Sequence, residues 1–573
     1  MDLSRRGFLG AVGAASLASS STIEAQTQKE PADLVLYNGK IVTVDDTFSI
    51  RGAIAMKDGR ILAVGGNELT NRFNTSRSID LHGRTVLPGF NDTHVHLGGQ
   101  SRRNINLNNT KSIAQLKDQI RDKARELGPK EWITGAGWDE FQMTEKRVPL
   151  RADLDEAAPN NPVVLTRAGG HSSVGNSKAL ELADINRATP DPERGLIERD
   201  AKGEPNGVIR ERSDLYRRLV PKDRPEDVRP RSSKRRRFLD SLFENVHSQL
   251  RLGITSVMVA GTSIDPTVAG SWPEWEILYR AHGAELPRAA IQIEWPGDAK
   301  TGEAKLREFG HKTGFGDDRL RIGSIGEMFA DGGFTGPTAY TLNDYKGMPG
   351  FRGRAMLTPE QMHANIEAGH KLGWQFGIHA IGDTAIAMTV DAYDRVLHDF
   401  PRNDHRHYLS HFSMLPPDRT MQIMAKDKIW IAQQPNFTYT LEGRYVQTLE
   451  SWHLTRNNPL ATPLKHGIFM AFGSDNLPIG PLVGLYAAVT RKGMSTGTVF
   501  GPEEAVSMKD AIRMYTRNGA YLTWEEKTKG TLEPGRLADM IVLPEDPLSV
   551  PSEKLLTMKV DMTIVGGKVL YNS

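Results

Sequence analysis

His94 and His96 stand one residue apart at the end of Leu87-Pro88-Gly89-Phe90-Asn91-Asp92-Thr93-His94-Val95-His96. In an extended strand, side chains at i and i+2 share a face, so these two imidazoles can chelate one divalent cation. A His-x-His triplet alone fits an ordinary pair of polar residues equally well. The reading depends on whether further ligands stand at equivalent places in the chain. With no cysteine among 573 residues, any such ligand must be histidine or carboxylate. Candidates follow at intervals: Glu327, His379, His411 and Asp475, the last within Gly473-Ser474-Asp475-Asn476.

Those residues need a frame that brings them together. Short β-rich segments recur at roughly 86–96, 254–261, 288–295, 320–330, 374–381, 407–412, 429–433 and 469–474, with helical patterns between most of them, for example 359–372, 384–398 and 417–425. Strand alternating with helix predicts a parallel sheet, and eight such units predict an α/β fold closed as a (β/α)8 TIM barrel over 86–529. In that frame every candidate falls at the C-terminal end of a strand, at the mouth where such barrels carry their chemistry. Each has an innocent reading, as a capping Asp, a hydrogen-bonded core His or a Glu at a strand end. Six of them at one mouth is hard to credit to chance. Four histidines and two carboxylates form the kind of set that holds Zn, Mn or Fe.

The interval from about 100 to 250 is too long for one crossover and is expected to be an inserted subdomain, carrying Asp153-Leu154-Asp155 and the turn Gly169-Gly170-His171-Ser172-Ser173. Outside the barrel, Asn38-Gly39 and Asp58-Gly59 each separate two strand-like runs, and Gly566-Gly567 does so near the other end. Two-residue turns of this type predict hairpins. The chain ends are therefore expected to meet, 32–85 with 530–573, in a small β-sandwich domain.

The chain resembles the amidohydrolase superfamily, and within it the amidohydrolase 3 branch that includes N-substituted formamide deformylases. The resemblance spans 32–570 and rests on Pro88 to His96, Gly170-His171 with Asn176-Ser177-Lys178-Ala179-Leu180, Phe329-Ala330-Asp331-Gly332, His379-Ala380-Ile381-Gly382-Asp383, Gly473-Ser474-Asp475 and Gly530-Thr531-Leu532-Glu533-Pro534-Gly535-Arg536-Leu537-Ala538-Asp539. It implies hydrolysis of an amide-type C–N bond. Many such enzymes bridge two metals with a carboxylated lysine; here Glu327 stands in that region, four residues before Asp331. Its two oxygens can bridge cations, or it can be a terminal ligand or an orienting group behind one. One or two divalent metals per chain, zinc foremost, are expected.

In the resulting mechanism a metal lowers the pKa of water and polarises the carbonyl, and Asp475 is the general acid/base. Trp138 and His171 are candidate lining residues of the substrate pocket, and a purely structural role is as good a reading of each. Two other functions stay open: a lactone or ester hydrolase on the same site, and a catalytically silent binding protein.

The remaining features bound partners and place. The 72 basic and 70 acidic residues nearly cancel, so charge gives no case for nucleic acid or a membrane surface. The run Lys234-Arg235-Arg236-Arg237 reads as a solvated loop and helix end. A small-molecule partner is expected, without stable membrane insertion, and a homodimer is compatible with the sequence. Ser4-Arg5-Arg6-Gly7-Phe8-Leu9-Gly10, followed by an Ala/Gly-rich apolar run and Ile23-Glu24-Ala25-Gln26, resembles a twin-arginine export signal over 1–25 and predicts a periplasmic or exported protein.

Overall fold

The computed structural model describes residues 29–99, 101–192, 195–221, 238–475 and 480–573. The segment 1–25, expected to be an export leader, and the Lys234–Arg237 run lie outside these residues.

Eight parallel strands form the central sheet: β1 (Phe90–Val95), β2 (Ile254–Thr262), β3 (Arg288–Ile293), β4 (Leu320–Phe329), β5 (Phe376–Ala380), β6 (Tyr408–His411), β7 (Trp430–Gln433) and β8 (Met470–Phe472), neighbours in that order. The expected TIM barrel is present, with every strand within a few residues of its predicted position. Its closure comes from a loop rather than a long strand: β8 has three residues, and beyond it Asp475 N donates to His94 O at 2.8 Å while Ser474 N donates to the Asp92 carboxylate at 2.9 Å. The strands read as near-continuous apolar runs because helices cover their outer face. All six residues of β3 are buried. The helix Pro359–Lys371 shows how the crossovers start: Thr358 caps it, Gln361 completes a capping box, and Pro359 takes the first turn, where its missing N–H costs nothing.

The first strand departs from expectation. The run 86–96 is not one strand but two, Thr85–Pro88 and β1, in different sheets. Gly89 is the joint, where a Cβ would lie 2.1 Å from the Thr255 hydroxyl oxygen. Only glycine fits at this joint, because Thr255 of β2 passes too close for any side chain. Thr85–Pro88 pairs with Met540–Leu543 and Lys40–Val42, so the small domain keeps the chain to Pro88 rather than to residue 85.

That small domain consists of a four-stranded and a six-stranded sheet built from both chain ends, packed around residues such as Leu36, Ile54, Met56, Val86, Met540 and Ile564. The Asp58-Gly59 and Gly566-Gly567 turns make hairpins, Ala53–Lys57 with Arg60–Gly65 and Met562–Val565 with Lys568–Asn572. Asn38-Gly39 does not: Leu34–Tyr37 joins one sheet and Lys40–Val42 the other, and Asn38, with φ of 56°, turns the corner between them.

The long interval after β1 holds a six-stranded sheet, running from Asn104–Asn106 to Pro205–Arg210, with a core of its own around Leu116, Ile133, Trp138 and Leu165. It ends earlier than the expected residue 250. Leu242 and Val246, on the helix Phe238–Ser248, pack into the barrel core instead. Among the described residues, no helix is long and apolar enough to cross a membrane.

Candidate metal centre

The barrel brings the six candidate ligands to one place. β1 carries His94 and delivers His96 just past its end; Glu327 lies on β4, His379 on β5 and His411 at the end of β6. Asp475 follows β8. Glu327 stands at the centre. Its Oε1 lies 2.8 Å from His411 Nε2 and 2.9 Å from His379 Nδ1, with His94 Nε2 at 3.4 Å. Its Oε2 is 3.3 Å from His96 Nε2, and Asp475 Oδ1 is 3.5 Å from the same nitrogen. Among the described residues, three sets have donor atoms mutually within 4.8 Å: His94 with His411 and Asp475, His94 with His96 and Glu327, and Glu327 with His379 and His411.

Strained backbone accompanies this convergence. His411, Phe412 and Asp475 have φ of 74°, 49° and 56°, a left-handed conformation that costs a non-glycine residue about 1–3 kcal/mol. Such conformations persist where surroundings impose them, commonly at functional sites.

At His94, His379 and Glu327 the electrostatics suit cation binding, whereas a cation taking the His96 nitrogen would have to displace a proton. Burial drives His94 down to about 3 and, with the neighbouring His411, His379 down to about 4, so both rings are neutral with lone pairs to give. Burial works against ionisation of Glu327, but the surrounding histidines, His94 foremost, outweigh it and hold the carboxyl well below its ordinary range. At His96 burial is again outweighed, by Glu327 and then Asp475, and the ring rises to about 9. Both ring nitrogens of His94 are fully buried without a hydrogen-bond partner among the described residues. Its 3.4 Å approach to Glu327 is not aligned as a hydrogen bond. A buried neutral imidazole left orphaned beside a carboxylate is what a divalent cation would satisfy. The donor set therefore fits a metal.

The model of the amidohydrolase family matches residues 77–571, nearly the whole described chain. The chain belongs to the amidohydrolase family. Relatives of this amidohydrolase include the N-substituted formamide deformylase of Arthrobacter pascens, 28% identical over 94% of this chain and 98% of that one, and the protein LONG AFTER FAR-RED 3 of Arabidopsis thaliana, 29% identical over 94% and 92%. A solved metal-dependent hydrolase of Pyrococcus furiosus superimposes with a TM-score of 0.65 at 25% identity, covering 90% of this chain and all of that one. This amidohydrolase is a metal-dependent hydrolase.

A cavity of about 630 Å³ opens onto the centre, lined by His96, Glu327, His379, His411 and Asp475 on one side and His171 and Glu211 of the insertion on another. His171 thus reaches the barrel mouth. Its Nδ1 lies 3.0 Å from Glu211 Oε2, and its ring centroid is 5.5 Å from that of His379. Trp138 does not reach it. That side chain is 1% exposed in the core of the inserted sheet and is not among the residues lining the cavity.

Three further side chains of this amidohydrolase, two carboxylates and an amide, were given no role by the sequence reading. Glu211 clamps His171. Asp331 organises the loops above β4 and β5, accepting from the backbone N–H of Tyr340, Ile381 and Gly382 at 2.8–3.0 Å. Gln434, directly after β7, has Oε1 2.7 Å from His411 Nδ1. Only Asp331 lay in a quotable motif; a lone Glu or Gln has no spacing that marks it.

Proposed function

We propose that this amidohydrolase cleaves an amide-type C–N bond of a small molecule. His94, His96, Glu327, His379, His411 and Asp475 would hold the metal, zinc in this reading, and Glu327 offers an oxygen to each of two histidine sets. The observation that supports this reading is four imidazoles arrayed about one buried carboxylate whose two oxygens face different histidines. In such a set, the chemistry a divalent cation supplies is a lowered pKa for water and polarisation of the scissile carbonyl.

The chain's own groups do the rest. Asp475, 8% exposed, lines the cavity beside His96 and takes the proton of the attacking water. As the water oxygen bonds to the carbonyl carbon and the C–N bond breaks, Asp475 returns that proton to the departing nitrogen, leaving an acid and an amine. His171, fixed by Glu211, borders the substrate, and Phe329, Phe334 and Phe437 line the same cavity and keep bulk water from the reacting atoms. The leader at Ser4 to Gly10 supports export of the enzyme.

Rates on N-formyl, N-acyl and cyclic amides against matched esters, before and after chelation, test this proposal. Amide hydrolysis that chelation abolishes and zinc restores is expected. Full activity in metal-free protein contradicts the metal, and a clear preference for the esters contradicts the C–N bond.

A further inference from the structure

β7 contributes no candidate ligand, yet the two residues around its mouth-facing end, Gln433 and Gln434, are both fully buried and both bonded to the end of β6. Gln433 Nε2 donates to Phe412 O at 3.2 Å, and Gln433 Oε1 accepts from Gln434 N at 2.8 Å. Gln434 Nε2 donates to Ala432 O at 3.1 Å, which commits the nitrogen of that amide and turns its oxygen toward His411 Nδ1, 2.7 Å away. The oxygen can only accept. Nδ1 of the His411 ring therefore carries a proton, which leaves Nε2, 2.8 Å from Glu327 Oε1, as the nitrogen that would face a metal. Phe437 lies nearly parallel to the same ring, with centroids 5.9 Å apart and an interplanar angle of 13°.

We infer that the Gln433-Gln434 pair is a positioning clamp for His411: Gln433 holds the left-handed main chain at Phe412, and Gln434 holds the ring and its tautomer, so that β7 tunes metal affinity without touching the metal. A carbonyl or carboxylate behind a ligating imidazole fixes its orientation and raises its basicity, and losing that partner commonly costs ten- to a hundredfold in metal affinity. Among the candidate ligands, His379 has a backbone partner for its outer nitrogen, Gly332 O at 3.3 Å, whereas His411 depends on a side chain that mutation can remove.

The inference rests on His411 being a ligand, and the test separates the two. Zinc affinity is measured on the purified full chain by competition with a chromogenic chelator, alongside thermal unfolding of the metal-free protein. Gln434→Leu should weaken zinc binding by about ten- to a hundredfold, and Gln434→Glu, which keeps an acceptor facing Nδ1, should bind within about threefold of wild type or more tightly. His411→Ala should lose more zinc than either. If His411→Ala loses zinc but Gln434→Leu does not, the clamp is overturned and the ligand reading stands. If His411→Ala binds as wild type, both fall. Should Gln434→Leu fail to fold, Gln434→Glu decides alone: affinity reduced by more than about tenfold overturns the clamp, because the acceptor is still present.

Discussion

β6 has a buried histidine on either side of its run, His407 directly before it and His411 at its end, and the two are treated in opposite ways. At its foot His407 belongs to a chain of three imidazoles in which every nitrogen is satisfied. His407 Nε2 lies 2.8 Å from His370 Nδ1, and its Nδ1 accepts from Phe376 N at 3.0 Å. His370 Nε2 reaches Phe400 O and His405 Nε2 reaches Asp427 O, both at 2.8 Å. His405 Nδ1 accepts from His407 N at 2.9 Å. This pattern closes only with all three rings neutral. At the mouth, His411 joins imidazoles that face a single carboxylate, and His94 has no hydrogen bond at either nitrogen. His407 and His411 are both buried. What separates a structural histidine from a candidate ligand is whether the protein has already used its lone pairs.

The comparison can be broken at either end. The largest effect is expected at the mouth: Asp475→Asn should lower kcat by a factor of about 10² to 10⁴, the usual worth of a positioned acid–base group. Metal content must be measured alongside, since Asp475 is also a candidate ligand. Near-normal turnover would remove Asp475 from the chemistry.

The foot should respond in stability and not in metal. Burial depresses His405 from 6.5 to about 4 and His407 well below its ordinary value. Because the unfolded chain takes up these protons first, the stability of the neutral network is present above pH 6.5 and is lost as pH falls toward 4. For His405 this amounts to about 3 kcal/mol across the window. His405→Gln, which has no ring to titrate, should flatten the fall of the thermal midpoint between those pH values and leave zinc content unchanged. A midpoint that falls as steeply as in wild type, or a loss of zinc, would show that the two ends are not distinct.

The mouth was legible in sequence where the signal was local or recurrent. His94-Val95-His96 carries its geometry in its spacing, and His379, His411 and Asp475 each close a strand whose apolar run and following helix mark it. The joint at Gly89 was not legible, because 86–96 is one extended run and only the approach of Thr255 from β2 breaks it. Asn38-Gly39 misled for a related reason: a two-residue turn shows where the chain reverses or bends but not which sheet each arm joins. Trp138, in Gly137-Trp138-Asp139-Glu140, was open to a pocket role or a structural one, and it is a core residue of the insertion. Glu211 and Gln434 act on His171 and His411 from 40 and 23 residues away. Such long-range partners carry no pattern in a single chain.

The central claim is that Glu327 holds the mouth's histidines together as a shared ligand of two cations. Metal content of the purified, metal-replete protein and of Glu327→Ala, measured by elemental analysis, tests it most directly. Close to two metals in the wild type are expected, with at least one lost in the variant together with most of the activity. One metal per chain in the wild type and an unmoved count in Glu327→Ala would contradict it.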